Sequence, residues 1–291
     1  MIFNGSGVAL ITPFNNRGKI DYFSIKRLIE FQISNGTKAL IILGTTGESS
    51  TITYYEREKM IRFCVCLVNK RIPLIVGCGS NSTEKATSYV NQAKRLGADA
   101  SLIVTPYYNK CNQEGLFEHY KTIALSTKFP IILYNVPSRT GVNLLPETVL
   151  KLSKIRYIVG IKEASGNLNQ VAKLIHILPD NFAVYSGDDM LTLPMLSIGA
   201  KGVISVTANA YPSLIQTMCN YALNNDYFNA LIIHKNLYKI NHALFLDINP
   251  ICIKAYMKLL GFNVGNPRLP LTKASDEIIL KLKEIKEIYE N

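Results

Sequence analysis

Short apolar, β-branched runs recur along the chain at gaps of roughly 20–35 residues. They are "GVALIT" (7–12), "KALIIL" (38–43), "IPLIVG" (72–77), "ASLIVT" (100–105), "PIILYN" (130–135), "YIVGIK" (157–162), "FAVYSG" (182–187) and "GVISVT" (202–207). Between them apolar positions recur at helical spacing, as in "YFSIKRLIEFQISNG" (22–36), "TEKATSYVNQAKRLG" (83–97) and "LNQVAKLIHIL" (168–178). The first two end at Gly, which suits a helix C-terminus. Eight β-runs alternating with helices predict a (β/α)8 TIM barrel of the α/β class. A doubly wound open sheet is the alternative, disfavoured by the count of eight and by the lack of GxGxxG after the first run. Beyond about residue 225 the β-runs stop and three helical segments follow. The expected division is a barrel over 1–225 and a C-terminal helical region over 226–291.

The chain has 291 residues, 48% of them hydrophobic, enough for a substantial core. No apolar run approaches the roughly 18 residues that span a bilayer, and "MIFNGSGVALITPF" lacks the basic and long apolar parts of a signal peptide. The expectation is a cytoplasmic protein with no membrane partner. The formal charge is +11, which raises nucleic-acid binding as a class. The basic residues are dispersed, however, with no block of five, and "ASDEIILKLKEIKEIYEN" mixes both signs as a solvated helix does. No nucleic-acid partner is expected, and the charge suits small anionic substrates. The six cysteines (64, 66, 78, 111, 219 and 252) form no CxxC pair, and the histidines (119, 176, 234 and 242) form no ligand spacing. Reduced thiols, Cys78 and Cys111 included, and no metal are expected.

In a barrel of this kind the active site lies at the C-terminal ends of the strands. Those ends read "TPF", "GTTGESS", "TPYYNK", "YNVPSRTG", "KEAS", "SGDD" and "VTAN". They lack the carboxylate pair of glycoside hydrolysis and a P-loop lysine. Lys162 stands out, a lysine ending a buried-type strand. Alternation puts Ile158, Gly160 and Lys162 on one face and Glu163 on the other. Facing the barrel mouth, Lys162 meets apolar surroundings that disfavour an ammonium ion, and a neutral amine attacks a ketone to form a Schiff base. On the residue alone, a lysine snorkelling outward or pairing with Glu163 stays open. Tyr134 ends the neighbouring strand and could shuttle protons. Thr45 and Thr46, in a glycine-flanked turn, offer hydroxyls and backbone N–H groups to a carboxylate. Arg139 could fork a second carboxylate. Each has a plainer reading too: a core-edge aromatic, an ordinary βα turn, a surface ion pair. Together they suggest a 2-oxo acid held as an imine, chemistry of the class I aldolase type.

"GTTGES" (44–49), "TPYYNK" (105–110), "YNVPSRTG" (134–141), "GIKEASGN" (160–167), "SGDD" (186–189) and "GVISVTAN" (202–209) closely resemble the dihydrodipicolinate synthase family of pyruvate-dependent aldolases. The resemblance continues in "NPICIKAYMKLLG" and "RLPLT". It implies condensation of pyruvate with L-aspartate 4-semialdehyde, on the diaminopimelate route to lysine, with neither metal nor organic cofactor. Lys162 is then the imine-forming residue and Tyr134 the proton donor and acceptor. Thr45 links Tyr134 to Tyr108, which reaches a neighbouring subunit's site. Thr46, the backbone of Ile204 and Gly187 sit at the substrate, and Arg139 holds the semialdehyde carboxylate. A homotetramer, a dimer of dimers, is implied. The family's allosteric lysine site matches Ser49, Asn81 and Tyr107, but Tyr54 and Lys85 stand where lysine-sensing relatives carry histidine and glutamate, with Glu84 one position away. Weak or absent inhibition by lysine is expected. The alternative within the superfamily is N-acetylneuraminate lyase or a 2-keto-3-deoxy-sugar-acid aldolase. Arg139 and the Tyr107–Tyr108 pair favour the synthase.

Overall fold

The computed structural model describes residues 1–290. Eight strands are found: β1 (Gly5–Ala9), β2 (Ala39–Ile42), β3 (Leu74–Gly77), β4 (Ala100–Val104), β5 (Ile131–Asn135), β6 (Ile158–Glu163), β7 (Ala183–Ser186) and β8 (Gly202–Ser205). Each pairs in parallel with the next, and β8 returns to β1 to close the barrel. The expected β-runs and the strands coincide to within a residue or two at most ends. The first run is the exception, because Leu10–Thr12 lie beyond β1. There the Ile11 N–H is taken by the Asn209 side chain at 3.1 Å rather than by a neighbouring strand.

The strands are short and apolar on both faces, as a parallel sheet covered by helices requires. Val8, Leu40, Val76, Ile103, Leu133 and Ile161 face outward into the layer between sheet and helices. Ala9, Ile41, Ile75, Leu102, Ile132, Tyr185 and Ile204 fill the interior. At the N-terminal end Phe3 stacks on Tyr185 with ring centroids 4.4 Å apart and closes the barrel floor.

The surrounding helices are α1 (Tyr22–Ser34), α2 (Tyr54–Val68), α3 (Thr83–Arg95), α4 (Gln113–Thr127), α5 (Pro137–Thr140), α6 (Pro146–Ser153), α7 (Leu168–Ile177), α8 (Thr192–Ser197) and α9 (Pro212–Leu223). Side-chain caps start many of them: Asp21, Ser82, Asn112 and Asn167 each accept from a first-turn N–H, and Thr53 and Glu56 form a reciprocal capping box. Three more helices follow, α10 (Tyr227–Ala243), α11 (Ile251–Leu259) and α12 (Asp276–Glu290). No helix among the described residues is long and apolar enough to cross a membrane.

Strand β6 departs from simple alternation. Ile131 pairs with Ile158, but Ile132 pairs with Gly160, so Val159 is an extra residue. The bulge shifts the phase of everything before it. Ile158 therefore packs outward with Ile161, and the expectation that it shares the lysine's face does not hold. Downstream of the bulge the alternation is regular, and Lys162 and Glu163 lie on opposite faces.

Candidate active site

The register places Tyr134 of β5 directly beside Lys162 of β6, with Tyr185 of β7 on the other side. Lys162 is 5% exposed, and its Nζ lies 4.5 Å from the centroid of the Tyr134 ring. The packing that holds the lysine's stem comes from glycine. A Cβ on Gly187 would lie 2.9 Å from Lys162 Cε, and one on Gly160 would lie 2.7 Å from the Ala183 carbonyl oxygen. Glu163 is also buried, but its carboxylate accepts from Asn135 Nδ2 (3.0 Å), the Ser165 N–H (2.7 Å) and Gln170 Nε2 (3.3 Å) on the helix side. Those amides, not Lys162, are its partners.

Above Lys162 a cavity of about 440 Å³ opens at the strand ends. Thr45, Thr46, Tyr134, Arg139, Lys162 and Gly187 all line it, with Ala9, Ile41, Leu102 and Val206 as apolar walls. Six of the eight residues read as catalytic or substrate-binding are thus brought together. Ile204 lies below, fully buried among the interior side chains; Val206, two residues on, reaches the cavity instead. Tyr108 is 89% exposed on the loop after β4 and does not approach Lys162 of its own chain. Its φ of +74° is unusual for an aromatic residue.

The Thr45–Thr46 turn is held from several sides. A Cβ on Gly47 would stand 3.0 Å from the Leu43 nitrogen and 3.2 Å from the Leu10 carbonyl oxygen, so a side chain there would crowd the backbone that holds the turn. Thr12 Oγ1 donates to the Gly47 carbonyl at 2.7 Å. Glu48, left-handed at φ +56°, points its carboxylate away from the cavity to Lys254 of α11 at 2.7 Å. Both side chains of that pair are 1% exposed. Burial brings the Lys254 ammonium down to about 8, and Glu48 opposes the shift. Arg268 completes the cluster, its N–H donating to Glu48 at 2.8 Å and its guanidinium to Glu56 at 2.5 Å. On the opposite rim Asp189 is buried under β8. Its carboxylate accepts from the Ser205 hydroxyl and from the Val206 and Thr207 N–H groups, fixing the turn that presents Val206. Burial raises this carboxyl against those bonds.

Three polar residues of this cavity, Asn249, Asn241 and His242, had been given no role at the site. Asn249 donates from Nδ2 to Thr46 Oγ1 at 2.9 Å, and its carbonyl accepts from Arg139 Nη2 at 3.2 Å. Asn241 and its neighbour His242 reach the rim from α10. Only the "NP" dipeptide at 249–250 hinted at a turn there.

A second, larger cavity of about 900 Å³ adjoins the first and shares Thr45, Arg139 and Asn249 with it. Ser49, Tyr54, Lys85 and Tyr107 line it, as does Glu84; Asn81 is not among its walls. Its floor carries Arg57, 1% exposed, whose guanidinium lies 4.1 Å from the Tyr89 ring centroid, with Lys85 Nζ 5.8 Å from that centroid. The cysteines are all free thiols. Cys78 is buried with its thiol pushed up to about 11, and Cys111 is half-buried. Among the described residues no group of three His, Cys, Asp or Glu could hold a metal ion.

A buried lysine beside a tyrosine, at the C-terminal mouth of a closed eight-stranded barrel and facing a hydroxyl turn and an arginine, defines a lyase of the Schiff-base-forming, class I aldolase type. The chain belongs to the dihydrodipicolinate synthetase family, whose sequence model matches residues 2–288. It is 51% identical over 271 residues to the 4-hydroxy-tetrahydrodipicolinate synthase of Alkaliphilus oremlandii, covering 93% of each chain. The 4-hydroxy-tetrahydrodipicolinate synthase of Citrifermentans bemidjiense is 48% identical over 99% of each chain. The crystal structure of dihydrodipicolinate synthase from Aquifex aeolicus superposes with a TM-score of 0.97 at 45% identity, over 99% of this chain and 98% of that one.

Proposed function

We infer that this chain is a 4-hydroxy-tetrahydrodipicolinate synthase, condensing pyruvate with L-aspartate 4-semialdehyde on the diaminopimelate route to lysine. The observation that carries the reading is Lys162 Nζ, buried 4.5 Å from the Tyr134 ring in a cavity that also holds Thr45, Thr46 and Arg139. Nζ attacks the keto carbon of pyruvate, and loss of water leaves the imine. Loss of a methyl proton gives the enamine, whose carbon attacks the aldehyde of the second substrate. The amino group of that substrate then adds to the imine carbon, closes the ring and expels Nζ. Each step moves a proton, and the Tyr134 hydroxyl is the acid–base group beside the reacting atoms, a role worth about 10²–10⁴-fold in rate. Thr46 holds the pyruvate carboxylate and Arg139 the carboxylate of the semialdehyde, the latter by a charge-assisted fork. Gly187 makes room for the imine's stem, and the Ile204 backbone supports pyruvate from below.

Borohydride reduction with pyruvate tests this. The peptide carrying Lys162 gains the mass of a reduced pyruvyl adduct, and Lys162→Ala gains none. Failure to trap any adduct overturns the reading.

A cytoplasmic location is part of this proposal, and the lack of a membrane-spanning helix among the described residues is in keeping with it. The exposure of Tyr108 supports a role delivered to another subunit, within the homotetramer that the resemblance implies. The larger cavity suits lysine poorly as an effector. Lys85 and the buried Arg57 flank one aromatic ring, and two cations there repel the ammonium groups of a lysine ligand more than Glu84 offsets. Initial rates at saturating pyruvate are expected to be unchanged by low-millimolar lysine, and clear inhibition would refute this.

A further inference from the structure

Asn249 lies on the connection between α10 and α11, far in sequence from every residue it touches at the cavity. It is 5% exposed and lines the wall shared by the two cavities. Its side-chain N–H occupies a lone pair of Thr46 Oγ1 at 2.9 Å, and its carbonyl takes a hydrogen bond from Arg139 Nη2 at 3.2 Å. One residue therefore touches both groups assigned to substrate carboxylates.

A threonine hydroxyl has one proton and two lone pairs. It binds a carboxylate only by donating that proton. A partner that accepts from Thr46 would take the proton and turn the lone pairs toward the substrate. A partner that donates to Thr46 leaves the proton free. Asn249 donates. Its own Oδ1 is buried without a hydrogen-bond partner, so the amide carries an unsatisfied acceptor while its N–H is committed to Thr46.

We propose that Asn249 is a positioning residue that polarises Thr46: by donating to Oγ1 it directs the hydroxyl proton to the carboxylate of the bound 2-oxo acid, and through its carbonyl it ties Arg139 to the same frame. The proposal rests on the reading of Thr46 as the pyruvate-carboxylate group. It also gives the C-terminal region a part in substrate binding, through Thr46 and Arg139.

The test compares Asn249→Ala, Asn249→Asp and Thr46→Val by KM for pyruvate, kcat and thermal melting. A residue that merely fills space shows its loss in the melting temperature of both Asn249 variants, with KM for pyruvate little changed. Polarisation requires KM to rise, and further for Asp than for Ala. Ala leaves the Thr46 hydroxyl free to rotate, and KM for pyruvate rises about tenfold, the scale of one hydrogen bond. Asp accepts the Thr46 proton and faces the ligand with negative charge, so KM rises by a further factor of about ten, while kcat stays within a few-fold. In the double variant Thr46→Val with Asn249→Ala, KM equals that of Thr46→Val alone, because the two act as one unit. If Thr46→Val raises KM but Asp is no worse than Ala, the proposal is overturned and the role of Thr46 stands. If Thr46→Val leaves KM unchanged, both fall.

Discussion

A methyl group on Gly187 would lie 2.7 Å from Ala164 Cβ and 2.9 Å from Lys162 Cε, closer than real side chains pack. The lysine's reach into the cavity thus depends on a residue that contributes no side chain at all. In Gly187→Ala the flexible lysine stem gives way first. The expected result is a fall in kcat on the order of tenfold or more, with slower borohydride trapping at saturating pyruvate and a stability loss of about 1–3 kcal/mol from overpacking. Unchanged trapping would show that the stem has space to spare. Lys162 and Tyr134 were legible in the sequence because a lysine and a tyrosine at successive strand ends violate the apolar pattern around them. Ile158 was misplaced because a one-residue bulge leaves no compositional trace in "YIVGIK". Asp189 and Asn249 were not legible in role, because a buried carboxylate or amide is defined by hydrogen-bond partners more than ten residues away.

At the scale of elements, α2 carries a carboxylate with two duties. Glu56 closes the capping box with Thr53 and receives the Arg268 guanidinium. The Arg268 hydrogen bonds hold its carboxyl down to about 2, against 4.5 for a free glutamate. Because the folded value is the lower one, this stabilisation is complete above about pH 4.5 and is lost as pH falls toward 2. Glu56→Gln keeps a residue able to cap and removes only the charge. Its melting temperature is expected to lie on the order of 2–6 °C below the parent at pH 7, and the two curves to converge near pH 2–3. A constant offset across that range would mean the loss is packing, not charge. The ends of α1 and α3 were readable from Gly36 and Gly97, which take positive φ just past each helix. The end of β1 was not, because Asn209 terminates it from about 200 residues away.

For the whole molecule, the β/α alternation limited the fold to a barrel or a doubly wound sheet, and the count of eight with no GxGxxG after the first run favoured the barrel. Closure of β8 on β1 follows from the count rather than from any local signal. Tyr108 is where the single chain falls short. It stands 89% exposed with a left-handed backbone, away from the lysine it is read as serving. Mixing subunits tests this. Tyr108→Phe and Lys162→Ala homo-oligomers are each expected to be weak or inactive. Refolded together, they regain part of the parental rate, because a Lys162→Ala subunit lends its tyrosine to an intact lysine next door. No recovery in the mixture would confine Tyr108 to its own chain. Sedimentation velocity of the parent checks that an oligomer exists at all.

The ion pair between Glu48 and Lys254 joins residues 206 positions apart. A ribosome that has delivered residues 1–225 has released all eight strands, Lys162 and Tyr134, yet neither Lys254 nor Asn249. Until they arrive Glu48 has no buried cation, a state worth about 3–5 kcal/mol against the folded turn, and Thr46 has no amide beside it. On the proposed roles of Lys162 and Thr46, the nascent barrel carries its nucleophile long before its carboxylate grip is complete, and competence waits for the end of translation rather than for the making of the barrel.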